Sequence, residues 1–109
     1  MPERRVVRII PRRPIPVEIV SADLVAVQGT LANVSELGVC VWTDRVFEAG
    51  DTVVLGLGFP DETRPFHAAG CVVWSQRAQL EGKLCRCGLR WPHTTGPHRE
   101  LLMKLIATC

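Results

Sequence analysis

Two short patterns in this sequence carry groups suited to binding. The first is Arg4-x-x-x-Arg8, inside "RRVVR". Guanidinium groups donate paired hydrogen bonds to phosphate and stack flat on aromatic rings. The spacing covers about 13 Å when extended and much less in a turn. With Arg5 beside them, two or three such groups on one arm can wrap a compact dianion. The second pattern is Asn33-x-Ser35-x-x-Gly38, inside "LANVSELG". Asparagine offers a donor and an acceptor, and serine adds a hydroxyl. Glycine lets a ligand come close to the backbone. The same residue types also build ordinary turns by bonding their own backbone, and a basic terminus can be a solvated or non-specific nucleic-acid tail. Neither pattern decides alone. Arg8-x-x-x-Arg12 satisfies the arginine spacing too. The compact "RRVVR" cluster favours Arg4 and Arg8, because Arg12 and Arg13 sit among prolines.

The charge distribution points the same way. The 109 residues carry a formal charge of only +2, yet five of thirteen basic residues fall in the first thirteen positions, opposed there by Glu3 alone. A basic arm on a mildly acidic body suits an anionic partner reached by the arm.

The elements that must position these groups follow from periodicity. Residues 1–14, rich in arginine and proline, form an arm, since Pro11 and Pro14 oppose a helix. From Ile15 the pattern has period two. Val17 and Ile19 flank Glu18; Val25, Val27 and Leu31 share one face; "VCVWT" follows Gly38. In "TVVLGLGF", Val53, Leu55, Leu57 and Phe59 fall at spacing two, with Gly56 and Gly58 between them. "FHAAGCVVWSQ" and "KLCRCGLRW" complete six short strands separated by polar turns, one of them around Ala78–Gly82. That pattern predicts a mainly all-β domain, a small antiparallel barrel or sandwich, over residues 15–92. Gly56 and Gly58 inside a strand suggest bulges or corners. Over 95–107, Pro97 suits the first helical position after a Thr95 or Gly96 cap. Leu101, Leu102, Leu105 and Ile106 then form an apolar stripe that packs on the barrel. The whole chain, 1–109, reads as one domain.

Other constellations carry less. Cys85-x-Cys87 is not the ligand spacing of structural zinc sites. In "LCRCGLRW" both cysteines share the apolar face with Leu89 and Trp91, so they read as small core residues. Trp42, Trp74 and Trp91 read as core or helix-packing residues, and Arg90 lies on the polar face of the last strand. His67, His93 and His98 lack a nucleophile and orienting acid at recognisable spacing, and no Walker-type phosphate loop is present. No catalytic set and no metal site emerge. No stretch reaches the roughly 18–20 apolar residues of a membrane helix, and the basic start has no signal-peptide core. The five cysteines are odd in number and form no disulfide framework, which suits a reducing cytoplasmic compartment.

Taken together and in order, Arg4-x-x-x-Arg8, Asn33-x-Ser35-x-x-Gly38, the six-strand pattern and the terminal helix resemble the PilZ family of bacterial cyclic di-GMP receptor domains. The resemblance runs from Arg4 to the final helix and includes "FEAGDTVVLGLGFP", "AGCVVWSQ" and "CGLRW" as the fourth to sixth strands. It implies a six-stranded antiparallel barrel with the arginine arm folding over its outer face. It implies that Arg4 and Arg8, helped by Arg5, grip phosphates and guanines. Asn33 and Ser35 would hydrogen-bond the ligand from the barrel surface, and Gly38 would keep the backbone low beneath a guanine. Asn33 stands where Asp is common in the family. The expected protein is a cytoplasmic cyclic di-GMP receptor without enzymatic activity, membrane span or cofactor, signalling to an effector protein. Two rivals fit the same residues: a PilZ-like adaptor that binds no nucleotide, and a small barrel binding RNA or single-stranded DNA. The intact motifs oppose the first. The scarcity of aromatics opposes the second, since no specific nucleic acid is expected without stacking platforms.

Overall fold

The computed structural model describes residues 7–80, 83–91 and 96–109. Arg4, Arg5, Gly82 and Thr95 lie outside the described residues. Six strands and one helix follow in chain order: β1 (Pro16–Val20), β2 (Ala26–Val34), β3 (Gly38–Thr43), β4 (Thr52–Leu57), β5 (Phe66–Leu80), β6 (Lys83–Arg90) and α1 (Gly96–Ala107). The strands close into a barrel in the order β1-β2-β3-β6-β5-β4, and every neighbouring pair is antiparallel. Closure leaves no unpaired strand edge to be covered by other means.

Alternation fills the interior. Val17 and Ile19 of β1, Val39 and Val41 of β3, Val53, Leu55 and Leu57 of β4, and Cys85, Cys87 and Leu89 of β6 are all buried. The two cysteines are thus core residues, and burial, aided by the nearby thiols of Cys40 and Cys85, pushes the Cys87 thiol up to about 12. Leu102, Leu105 and Ile106 of α1 join the same cluster, with Cys109 packed against it. This i, i+3, i+4, i+7 stripe replaces the expected one, because Leu101 turns 45% of its surface to solvent. His98 of α1 stacks on Phe66 at the start of β5, with ring centroids 4.7 Å apart.

Two expectations need correction. β4 pairs with both neighbours without a register shift, so Gly56 marks no bulge, and Gly58 falls just past the end of the strand. The shifts fall instead between Leu31 and Asn33 on β2, and between Val72 and Trp74 and again between Arg77 and Leu80 on β5. The tryptophans also divide. Trp91 is buried in the core, but Trp42 is half-buried and Trp74 is 38% exposed. Trp42 alternates with the inward Val41, and a bulge turns Trp74 outward.

Candidate functional site

The β2 bulge sets the site. Leu31 pairs with Val41 and Asn33 with Cys40, so two steps on β2 match one on β3 and Ala32 is the extra residue. A strict alternation would send Asn33 inward with Leu31. The extra residue instead leaves Leu31 and Val34 buried and brings Asn33 to the outer face. Bulges re-aim side chains in this way.

The arm is fastened at that point. Ile9 and Val34 exchange both backbone hydrogen bonds, at 2.8 and 2.9 Å. Ile9 packs against the core cluster, and Arg8 is left beside Asn33. Arg8 Nη1 donates to Asn33 Oδ1 at 2.7 Å. A guanidinium has no acceptor, so the amide must present its oxygen to Arg8 and keep its two N–H donors for another partner. This partner of Arg8 is neutral, and among the described residues no carboxylate is paired with it. Arg12 and Arg13 lie elsewhere, lining a hollow with Pro60, Thr108 and Cys109. Arg13 is paired there with Asp61 at 3.3 Å.

Residues 35–38 form a braced turn. Ser35 N–H donates to Gly38 O at 2.8 Å. Ser35 Oγ accepts from the N–H groups of Leu37 and Gly38, at 3.1 and 3.2 Å, and its hydroxyl reaches back to Gly38 O. Ser35 is completely buried, so in this structure its hydroxyl holds the turn and does not face outward. From outside the turn, the Trp91 indole N–H donates to Ser35 O at 3.1 Å, and Trp91 N–H to Leu37 O at 2.9 Å. Arg99 of α1 pairs with Glu36 at 2.8 Å. Gly38 is required by packing: a Cβ there would overlap the backbone carbonyl of Leu89 on β6.

These elements frame a cleft of about 220 Å³ on the outer face, lined among others by Arg8, Leu37, Gly38, Trp74 and Arg90. Among the described residues the lining holds two guanidiniums and no carboxylate. A cationic lining with one aromatic wall has the chemistry to hold an anion. Of the sequence candidates, the structure brings Arg8 and Gly38 to the cleft, sets Asn33 against Arg8, and puts Ser35 inside the adjoining turn. Trp74 is the lining residue that periodicity hid. Its outward placement depends on the extra residue Val73, and nothing in "GCVVWSQ" marks where a bulge falls.

Residues 2–108 match the family profile described as the PilZ domain. No curated protein matches the sequence. Among solved structures, the PilZ domain with c-di-GMP of YcgR from Escherichia coli superposes with a TM-score of 0.80 at 16% identity, covering 98% of this chain and 91% of that one. The Bacillus subtilis inhibitor of motility MotI/DgrA superposes at 0.71 and 19% identity, over 98% of this chain and 50% of that one. YcgR in complex with c-di-GMP from Escherichia coli gives 0.76 at 16% identity, over 96% of this chain and 45% of that one. At these identities the likeness is one of fold.

Proposed function

Since this chain belongs to the PilZ domain family, we propose that it is a receptor for cyclic di-GMP, taken up in the cleft between the arm and the barrel. The observation that carries the reading is the Arg8–Asn33 hydrogen bond. It joins the two halves of the motif from positions 25 residues apart, and among the described residues it leaves both with unused donors. Arg8, with Arg4 and Arg5 from the start of the arm, would bind the phosphates and the guanine edges or faces. Asn33 would offer its amide N–H groups to ligand acceptors. Ser35 and Gly38 would act as positioning residues, holding the turn close to β6. The hollow around Arg12 and Arg13, away from the cleft, supports Arg4 and Arg8 as the working pair. Two neighbours of this fold, both YcgR structures, are described with c-di-GMP.

In this reading the protein is a cytoplasmic switch and not an enzyme. Ligand binding orders the arm against the barrel, and an effector protein reads the changed surface. Calorimetric titration with cyclic di-GMP tests it, with GTP and a short single-stranded oligonucleotide as controls. Binding of the cyclic dinucleotide alone is expected. Arg8→Ala should cost about 2–5 kcal/mol of binding, and unfolding should stay within about 0.5 kcal/mol of wild type, as for other surface substitutions. An Arg8→Ala variant of unchanged affinity would overturn the assignment of Arg8. No binding by the wild type would leave a nucleotide-independent adaptor.

A further inference from the structure

The two ends of β2 carry exposed apolar surfaces of opposite charge. At its start, the β1–β2 turn holds Leu24 83% exposed. The φ of Leu24 is 63°, a conformation uncommon for a bulky side chain. Local bonds fix it there: Leu24 N–H donates to Ser21 O at 2.9 Å, and Val25 N–H to the Asp23 carboxylate at 3.2 Å. The Asp23–Arg45 ion pair ties this turn to the loop after β3. Val25 on the turn and Val46 on the loop are 51% and 49% exposed. The same stretches, 21–25 and 43–54, hold Asp23, Asp44, Glu48 and Asp51 against Arg45 alone.

At the other end of β2, where Ile9 pairs with Val34, the arm has the reverse charge. Val7 and Ile10 are 69% and 76% exposed. Arg8 lies between them in the chain, bonded to an amide and, among the described residues, to no carboxylate. Arg4 and Arg5 precede them in the sequence. β2 has nine residues, so the two surfaces stand about 30 Å apart.

We propose that the protein forms a reciprocal dimer in which the arm of each copy docks on the acidic apolar end of the other. Two features favour a second copy over an unrelated partner. The surfaces match in kind: each offers two or three exposed aliphatic side chains, one set among carboxylates and the other among guanidiniums. Their placement also closes. A two-fold axis across β2 turns one copy end for end and satisfies both contacts at once, as an isologous interface requires. A contact of this small size is weak, and opposite charge speeds encounter and sets the orientation. The dimer needs no nucleotide, so it stands apart from the cyclic di-GMP reading.

The test is sedimentation equilibrium of the full chain without nucleotide, at concentrations up to about 1 mM, the scale of weak association. The average mass should rise with concentration and level off at two chains. Leu24→Asn removes an apolar contact and suits the positive φ better than leucine does. It should weaken association about ten-fold or more without lowering the urea midpoint. Raising salt from about 0.1 to 1 M shortens the screening length from roughly 10 to 3 Å and should also weaken association. Charge exchange reads the pairing itself. Arg8→Glu alone sets acid against the acidic end, and Glu48→Arg alone sets base against the basic arm, so each should associate more weakly than wild type. Mixed in equal amounts, the two variants should regain association, because both contacts in the mixed pair join opposite charges.

A wild type that stays monomeric to that limit would overturn the inference and leave the acidic end to a different, basic protein. Undiminished association of Leu24→Asn, or no gain on mixing, would place the contact on another face and overturn it as well. Masses growing past two chains would overturn the closed pairing. Binding of cyclic di-GMP is measured separately, so either reading can fail without the other.

Discussion

One side of the barrel is regular and the other is not. β1 and β4 pair with each other and with β2 and β5 in unbroken register, and their alternating Val, Ile and Leu simply fill the interior. β2 and β5 each carry an extra residue where they meet β3 and β6. On β2 that residue turns out Asn33, and on β5 it turns out Trp74. The polar groups divide in the same way. At the β1–β2 turn, Arg45 is paired with the Asp23 carboxylate at 3.0 Å, so its charge is met within the protein. At the cleft, Arg8 is paired with a neutral amide. One side keeps its register and pairs its charge; the other breaks register and, among the described residues, sets its arginine against a neutral amide.

Exchanging the two residues after the β2 bulge should have the largest effect. Asn33→Val combined with Val34→Asn puts an amide at the fully buried position 34 and the apolar side chain at the outer position 33. Lost burial and an unpaired buried amide together cost about 3–6 kcal/mol, much of the roughly 5–15 kcal/mol that holds a small domain folded. Ala32→Ser, which keeps every face, should stay within about 0.5 kcal/mol. Urea unfolding of both variants decides; an exchange as stable as wild type would mean that β2 can lose its bulge and turn position 33 inward.

Gly38→Ala comes next. The added methyl meets the Leu89 carbonyl, and backbone cannot rotate aside as a side chain can. Overpacking of this kind costs about 1–3 kcal/mol. If urea unfolding shows no loss, the close approach of β3 to β6 is not what requires glycine there.

The inner lining was legible in the sequence because a half-buried strand has a period of two and this one keeps it over β1, β3, β4 and β6. The candidate motifs were legible because the arginine pattern and Asn33-x-Ser35-x-x-Gly38 stand in order on a six-strand pattern, although each alone fits a basic terminus or an ordinary turn. Bulges were not. Ala32 and Val73 are ordinary residues, and the in-strand glycines that suggested irregularity, Gly56 and Gly58, belong to a regular strand and its end. Trp74 was therefore assigned to the wrong face. Ser35 was ambiguous for another reason. Whether its hydroxyl faces a ligand or its own turn depends on packing by Trp91, which lies 56 residues away.

A smaller contrast lies between two hydroxyls. Thr43 Oγ1 accepts from Arg45 N–H at 2.9 Å and donates to Arg45 O at 2.7 Å. Ser75 Oγ, beside the bulged stretch of β5, is buried and has no hydrogen-bond partner among the described residues. Two modest hydrogen bonds make Thr43→Val cost about 1–2 kcal/mol. Ser75→Ala should be neutral or slightly stabilising, because an unsatisfied buried hydroxyl contributes only its desolvation penalty. Equal losses from both substitutions in urea unfolding would show that Ser75 is in fact bonded and that the irregular strand is satisfied there.

The smallest effect belongs to the completed side. Asp23 accepts from the Ser21 hydroxyl at 2.6 Å, from Val25 N–H at 3.2 Å and from Arg45 Nη2 at 3.0 Å. These partners, the Ser21 hydroxyl foremost, hold its carboxyl down at about 2 against an ordinary 3.8. Between those values the folded chain binds fewer protons here than the unfolded chain. The contribution of Asp23 to stability is therefore fully present above about pH 4 and is lost as pH falls toward 2. The group is exposed, so salt should weaken the effect. Asp23→Asn should flatten this part of the acid limb relative to wild type, measured as urea midpoints across that window. A carboxyl resonance of Asp23 titrating at the ordinary value would show that Arg45 is as available to an anion as Arg8, and the contrast between the two sides would then rest on the bulges alone.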